Sequence, residues 1–244
     1  MLKKLYDKSD LLFAIIWIVL YCVLMSLGDG LSTKLGVQKS VTAFIGLVLS
    51  AVLFLFLKKN GLFKAYGLSK SKASLRKMLY YLPILIIITS NLWYGIALNY
   101  GALETFLYIF SMLCVGFLEE MIFRGLLFEA MRKSNVKTAI IVSSVTFGIG
   151  HIVNLINGSG AELLSNALQV VYATAAGFMF VMIYYRSNSL LVCIGAHGIF
   201  NALSVFANER NLTPNREVLV AILLTLITGS YALYLACTQK EKSE

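Results

Sequence analysis

The sequence predicts an all-α fold, a polytopic membrane bundle of about eight transmembrane helices, and its composition is the first reason. Of the 244 residues, 59% are hydrophobic and only 14% are charged, whereas soluble domains are about half apolar and a quarter charged. The mean hydropathy is +0.79. Such a chain has too few polar groups to cover its own surface, so the composition indicates that a bilayer is its solvent.

The second reason is a series of apolar runs, most of them at least 17 residues long. At a rise of about 1.5 Å per residue, some 20 helical residues cross a hydrocarbon core of about 30 Å. No long linker or clear repeat separates the runs, so we expect a single transmembrane domain, 1–244. The predicted spans are 10–28, 41–57, 78–98, 104–131, 138–156, 163–185, 189–206 and 217–237.

The basic residues predict the orientation of these spans. Sixteen Lys and Arg lie in the segments on the side of the N-terminus and four on the other side, with Arg124 inside a span. Because basic residues are retained in the cytoplasm, both termini are predicted to be cytoplasmic. Basic clusters between apolar runs are typical of loops beside anionic lipid. We therefore expect the bilayer, and no nucleic acid, to be the partner that explains the net charge of +9.

Three charged residues, Glu119, Glu120 and Arg124, lie close together within the fourth span. Glu120 and Arg124 are four positions apart and so share a helix face, in the order that favours an ion pair. Glu119 lies about 100° further round an ideal helix and has no such local partner. Charges are costly in hydrocarbon, about 2.5–3.5 kcal/mol each on insertion scales. We therefore predict a structural pair, Glu120 with Arg124, and a free carboxyl, Glu119, that is suited to acid–base catalysis.

Both histidines of the chain also lie within spans. His151 follows Phe147 by four residues in the fifth span, and His197 precedes Asn201 by four in the seventh. Counted from the predicted cytoplasmic ends, Glu119, both histidines and Asn201 lie on the order of 12–20 Å deep. Since these four polar groups are expected at a similar depth, we predict that the fourth, fifth and seventh spans form one site. The predicted catalytic core covers 104–206.

These residue types are those of a hydrolase that acts on an acyl bond. A carboxylate and a neutral imidazole, Glu119 and His151, can hold a water molecule and take its proton. His197 and the amide of Asn201 can donate hydrogen bonds to a developing oxyanion. We favour this metal-free mechanism, with no cofactor required. Zinc bound by Glu119, His151 and His197 is the alternative, because the spacing neither supports nor excludes it.

The three motifs together resemble those of a known family. The patterns are Glu119-Glu120-x-x-x-Arg124, Phe147-x-x-x-His151 and His197-x-x-x-Asn201. They are similar in order and in placement on separate spans to the signature of the CPBP family, which comprises type II CAAX prenyl proteases and the related Abi bacteriocin-processing membrane proteins. The resemblance implies that Glu119 is the general base, that His151 polarises the water, and that His197 and Asn201 form the oxyanion hole.

In the same resemblance, Glu120 and Arg124 organise the site. The implied function is an intramembrane endopeptidase acting on a membrane-associated peptide or protein, for processing or self-immunity. The size and the Lys-rich, Pro-poor composition suggest a bacterial plasma-membrane protein. Two alternatives use the same residues differently: a proton- or ion-coupled transporter with an intramembrane relay, and a non-catalytic bacteriocin immunity protein.

Overall fold

The computed structural model describes residues 2–71, 73, 81–157 and 162–238. Over these residues the fold is helical, and the extended pairing described there is an isolated antiparallel bridge between Ile96 and Ala207. The helices are α1 (Leu2–Lys8), α2 (Asp10–Leu35), α3 (Ser40–Lys59), α4 (Tyr81–Thr89), α5 (Ala102–Glu119), α6 (Glu129–Arg132), α7 (Val136–Gly150), α8 (Leu163–Ser187), α9 (Leu191–Leu203) and α10 (Pro214–Cys237). The predicted helical membrane bundle is confirmed.

Short helices of other types extend four of these elements. A π-helix (Glu120–Phe128) joins α5 to α6, and 3₁₀ turns follow α4 (Ser90–Leu92), α7 (His151–Leu155) and α9 (Ser204–Phe206). Another 3₁₀ turn, Glu209–Asn211, precedes α10.

Within the described residues, eight apolar helical segments correspond to the eight predicted spans. Six are long enough to cross a bilayer, and two, Leu82–Leu92 and Leu191–Phe206, are shorter. The predicted end of the third span at residue 98 is wrong, because the helix ends at Leu92 and the chain turns at Gly95, whose φ is +106°. Its predicted start, 78–80, lies outside the described residues.

Local sequence signals set several helix ends. The side chain of Ser9 accepts a hydrogen bond of 3.1 Å from the amide of Leu12 and so caps α2, whose C-terminus is closed by Gly36 at φ +68°. Asn135 caps α7 in the same way, over 2.9 Å to the amide of Thr138. These caps satisfy backbone groups that a helix leaves unpaired at its ends. They therefore fix where α2 and α7 begin and where α2 ends, which is at Leu35 and beyond the predicted end of the first span at residue 28.

The surface and the interior are arranged as lipid requires. Large apolar side chains such as Ile15, Val19, Val23 and Leu27 are exposed along one side of α2. In water such an apolar stripe would promote aggregation, whereas in a bilayer it faces the hydrocarbon of the lipids. Two charged side chains of the fourth span, Glu120 and Arg124, are instead fully buried inside the bundle.

The helix ends gather on two faces. We call one of these faces the basic face. It contains the ends of α2 at Asp10, α3 at Lys59, α6 at Arg132, α7 at Val136, α8 at Ser187, α9 at Leu191 and α10 at Cys237. Contacts across it include an ion pair between Asp10 and Lys133 and a hydrogen bond of 2.7 Å from Arg186 to Thr238. The other end, with α2 at Leu35, α3 at Ser40, α5 at Ala102 and α8 at Leu163, is the opposite face. The segments predicted to be cytoplasmic that lie within the described residues are all at the basic face.

Two close helix crossings position the motifs. A Cβ atom on Gly116 of α5 would lie 2.5 Å from the Cα atom of Gly198 on α9, so only glycine allows this approach. Likewise, a Cβ atom on Gly148 of α7 would lie 2.9 Å from the Cα atom of Thr174 on α8. Small residues let membrane helices pack backbone to backbone. As a result, His197 of α9 is brought against the C-terminal end of α5.

Candidate active site

The glutamate pair lies where the helix changes type. Helix α5 ends at Glu119, and the π-helix begins at Glu120. Stretches of π-helix are rare and occur frequently at functional sites. Both carboxyl groups are buried, and both contact the same imidazole ring, that of His197. The α-helical geometry assumed from the sequence, with the two side chains about 100° apart, therefore does not extend past Glu119.

Glu120 is held by two cationic or hydrogen-donating groups. Its Oε1 atom lies 3.2 Å from Nη1 of Arg124 and 2.8 Å from Nδ1 of His197. The guanidinium of Arg124 also lies 4.0 Å from the ring centroid of Phe147. The ion pair expected from the four-residue spacing is thus present. Its burial means that each charge depends on the other, because an unpaired buried charge is strongly destabilising.

His197 uses both ring nitrogens within this cluster. While Nδ1 faces Glu120, Nε2 lies 3.4 Å from Oε2 of Glu119. The ring is stacked on Phe180, with centroids 5.6 Å apart and planes at 20°. The sequence predicted His197 as an oxyanion donor and did not predict that it joins the two glutamates.

Glu119 has a second partner that the sequence did not reveal. The hydroxyl of Tyr21, on α2, donates a hydrogen bond of 2.6 Å to Oε1 of Glu119. Tyr21 is buried and lies 98 residues earlier in the chain. A tyrosine in an apolar span is ordinary, so no signal in the sequence distinguishes it.

His151 is oriented by its own helix and by α8. Its Nδ1 lies 3.0 Å from the carbonyl oxygen of Phe147. Because a carbonyl can only accept, Nδ1 must carry the hydrogen, and Nε2 is left as an acceptor. The backbone carbonyl of His151 accepts a hydrogen bond of 2.7 Å from the buried Asn166, which the sequence did not single out. Asn166 fixes the backbone at the change from α7 to its 3₁₀ turn.

Phe147 lies at the centre of these groups. Its ring is edge-on to His151 at 5.1 Å and to His197 at 5.7 Å, besides contacting Arg124. It links the second motif to the other two, as a residue that supports the site by packing.

A cavity of about 340 Å³ connects the remaining groups. Glu119, His151 and Asn201 all line it, together with Tyr21 and Phe147. A smaller, mainly apolar cavity of about 60 Å³ adjoins it and is also lined by both histidines and Asn201. The structure thus brings all seven predicted residues to one site, with Glu120 and Arg124 beneath the larger cavity and the others at its wall or beside it.

The zinc alternative requires three protein ligands that converge on one point. Among the described residues, no three His, Cys, Asp or Glu side chains are grouped so that they could hold a metal ion. The residues therefore do not form the three-ligand set that a catalytic zinc site needs, and no step is derived through a metal.

Comparison with known proteins agrees with the motifs. Residues 101–203 match the family model described as type II CAAX prenyl endopeptidase Rce1-like. The matched segment contains the three motifs, from Glu119 to Asn201. No curated protein and no solved structure matches the chain. Over this segment, which lies within the helical membrane bundle, the chain is similar to the type II CAAX prenyl endopeptidase Rce1-like family.

Proposed function

We propose that this protein is an intramembrane endopeptidase that hydrolyses a peptide bond of a membrane-associated peptide or protein, using water activated by Glu119 and His151. One observation carries the proposal: a carboxylate, an imidazole acceptor and an amide line one cavity deep in the bundle. The family supports proteolysis in general, and the residue roles and the substrate are part of the proposal.

Water would be activated between Glu119 and His151. Nε2 of His151 can accept a hydrogen bond from the water, because Nδ1 donates to the carbonyl of Phe147. The water oxygen forms a bond to the substrate carbonyl carbon while Glu119 accepts the proton. When the tetrahedral intermediate collapses, the carbon–nitrogen bond breaks and Glu119 returns that proton to the leaving amine.

The developing oxyanion would be stabilised by Asn201 and His197. The Nε2 atom of His197 lies 3.4 Å from Oε2 of Glu119. In this proposal, a hydrogen on Nε2 is donated to the oxyanion once Glu119 has taken the proton from water. The amide of Asn201 supplies a second donor from the same cavity.

In this proposal the enzyme is of the glutamate type, with no metal or cofactor. The substrate is a membrane-associated peptide precursor, as in bacteriocin processing or self-immunity, and the host membrane is a bacterial plasma membrane.

The test is cleavage of a lipid-anchored fluorogenic peptide library by the purified protein in detergent. Glu119→Gln and His151→Ala should each lower kcat/KM by about 10²–10⁴-fold, the range for a lost acid–base group. Glu104→Gln is the matched control, because Glu104 lies on the same helix but its carboxylate contacts the backbone amide of Gln38 at the opposite face.

Two results would contradict the proposal. Full activity in Glu119→Gln would show that Glu119 is not the general base. Absence of cleavage by the wild-type protein, with bacteriocin immunity retained in both variants, would favour the non-catalytic immunity protein.

A further inference from the structure

The larger cavity is asymmetric along the membrane normal. On α2 its lining begins at Tyr21 and continues through Ser26 to Asp29, towards the opposite face. The step from Tyr21 to Asp29 is about 12 Å along a helix. On α5 the lining extends from Glu119 back to Tyr108, also towards the opposite face. On α2, and on the continuous helical span Ala102–Arg132 that α5 begins, most of the lining residues therefore lie in the half remote from the basic face.

The other helices follow the same rule. Helix α7 and its 3₁₀ turn line the cavity from Phe147 onward, and α8 lines it near its start, at Gln169. Helix α9 contributes Asn201 and the turn residue Ser204, at its end. Since α7 and α9 run from the basic face and α8 runs towards it, all three place their lining residues in the same half of the bundle.

The half towards the basic face is closed. Every residue of the π-helix Glu120–Phe128 is buried, and Arg124 is fully enclosed beneath the glutamates. By contrast, the cavity ends at the opposite face beside the half-buried pair of Asp29 and Lys39, whose side chains are 19% and 17% exposed. Water and substrate therefore reach Glu119 from the opposite face.

The charge distribution assigns that face to a compartment. Among the described residues, eleven Lys and Arg lie in segments on the side of the basic face and four on the other. Segments rich in Lys and Arg remain in the cytoplasm. The opposite face is therefore the non-cytoplasmic one.

We infer that this protease takes its substrate from the non-cytoplasmic side of the membrane: an exported, membrane-anchored peptide or protein whose cleaved bond lies on that side. That the cavity receives a substrate rests on the proposed function. The direction in which the cavity opens does not depend on that function. A polypeptide segment entering from this face meets amide side chains, Asn91, Asn154 and Gln169, before it reaches His151. Such groups can both donate to and accept from a peptide backbone.

The test is thiol accessibility in bacterial spheroplasts. In a chain with Cys22→Ala and Cys237→Ala, which keeps the buried Cys114 and Cys193, three single variants are compared: Ser26→Cys in the cavity, Thr213→Cys exposed at the opposite face, and Ser134→Cys exposed at the basic face. The probe is a membrane-impermeant trimethylammonium methanethiosulfonate. Unreacted thiols are counted afterwards by a maleimide gel shift.

Ser26→Cys and Thr213→Cys should react in intact spheroplasts, and Ser134→Cys only after permeabilisation. Reaction of Ser134→Cys in intact cells, or of Ser26→Cys only after permeabilisation, would overturn the inference. Failure of Ser26→Cys to react in either state would also overturn it, because the cavity would then not be open to water. A green fluorescent protein fused to the C-terminus checks the orientation without any cysteine variant, because it fluoresces only if it folds in the cytoplasm. A full-length fusion that does not fluoresce would overturn the inference.

A second readout links accessibility to catalysis. Modification of Ser26→Cys from outside should abolish most of the peptide cleavage measured after solubilisation, whereas modified Thr213→Cys should keep it. In detergent both faces are open, so cleavage there tests the proposed function whatever the orientation. Loss of cleavage in Glu119→Gln together with inward-facing labelling would refute only the inference drawn here. Wild-type protein without cleavage would refute the proposed function.

Discussion

The hydroxyl of Tyr21 donates a hydrogen bond of 2.6 Å to Oε1 of Glu119, and so joins α2 to the first glutamate of the motif. Tyr21 lies outside the segment that matches the family model, which begins at residue 101. The site is therefore completed by a helix that carries none of the three motifs. Since Tyr21 fixes one carboxylate oxygen, the other is left to face His197.

Tyr21→Phe should lower kcat by about 10- to 100-fold, because a hydrogen bond to a charged group contributes about 1.5–3 kcal/mol. KM should change little, since the phenyl ring retains the packing. Steady-state kinetics on the peptide library separates the two constants. Tyr234→Phe, at an exposed position on α10, is the control. A kcat equal to that of the wild type would show that Tyr21 does not position Glu119.

Glu120→Gln should destabilise the protein, because it leaves Arg124 charged, buried and unpaired. Breaking one side of a buried pair costs about 3–5 kcal/mol, so the thermal unfolding midpoint in detergent should fall by several degrees or more. Asp7→Asn is the comparison, since the exposed pair of Asp7 with Lys3 contributes at most about 1 kcal/mol.

Adding Arg124→Met to Glu120→Gln should restore part of the lost stability, because the pair is then replaced by neutral groups. Activity should stay low, since His197 has lost the carboxylate that orients its Nδ1 atom. A double variant no more stable than Glu120→Gln alone would show that the ion pair is not the source of the destabilisation.

Gly116→Ala should reduce both activity and stability. The new Cβ atom would lie 2.5 Å from the Cα atom of Gly198, so α5 and α9 must separate, and Glu119 must move away from His197. Gly195→Ala is the matched control on α9, because nothing lies within 4 Å of its Cβ position. Cleavage rate and unfolding midpoint are measured for both. An unfolding midpoint and rate in Gly116→Ala equal to those of Gly195→Ala would refute the importance of this crossing.

Chelation should leave the activity unchanged. We expect the same cleavage rate before and after dialysis against EDTA or 1,10-phenanthroline, because the described residues hold no three-ligand set. Metal content is checked by elemental analysis of the dialysed protein. Loss of activity on chelation, restored by stoichiometric zinc, would replace the glutamate mechanism with a metal-assisted one.

The sequence alone determined the fold class of the protein and most of the residues that meet at the candidate site. Hydropathy along the chain is a local property, so it located the apolar helices, and the four-residue spacing of Glu120 and Arg124 was enough to predict their ion pair. The end of the third span was missed because Gly95 turns the chain to pair Ile96 with Ala207, more than a hundred residues away.

Only the tertiary structure decided the rest. The rotation and close approach of neighbouring helices set three features of the site. These are the hydrogen bond from Tyr21 to Glu119, the contact of His197 with both glutamates, and the direction in which the cavity opens. That approach is set by packing at Gly116 against Gly198. The change to a π-helix at Glu120 rotates the following side chains relative to an α-helix. Spacing within one helix does not encode these relations, because they arise from contacts between residues distant in sequence.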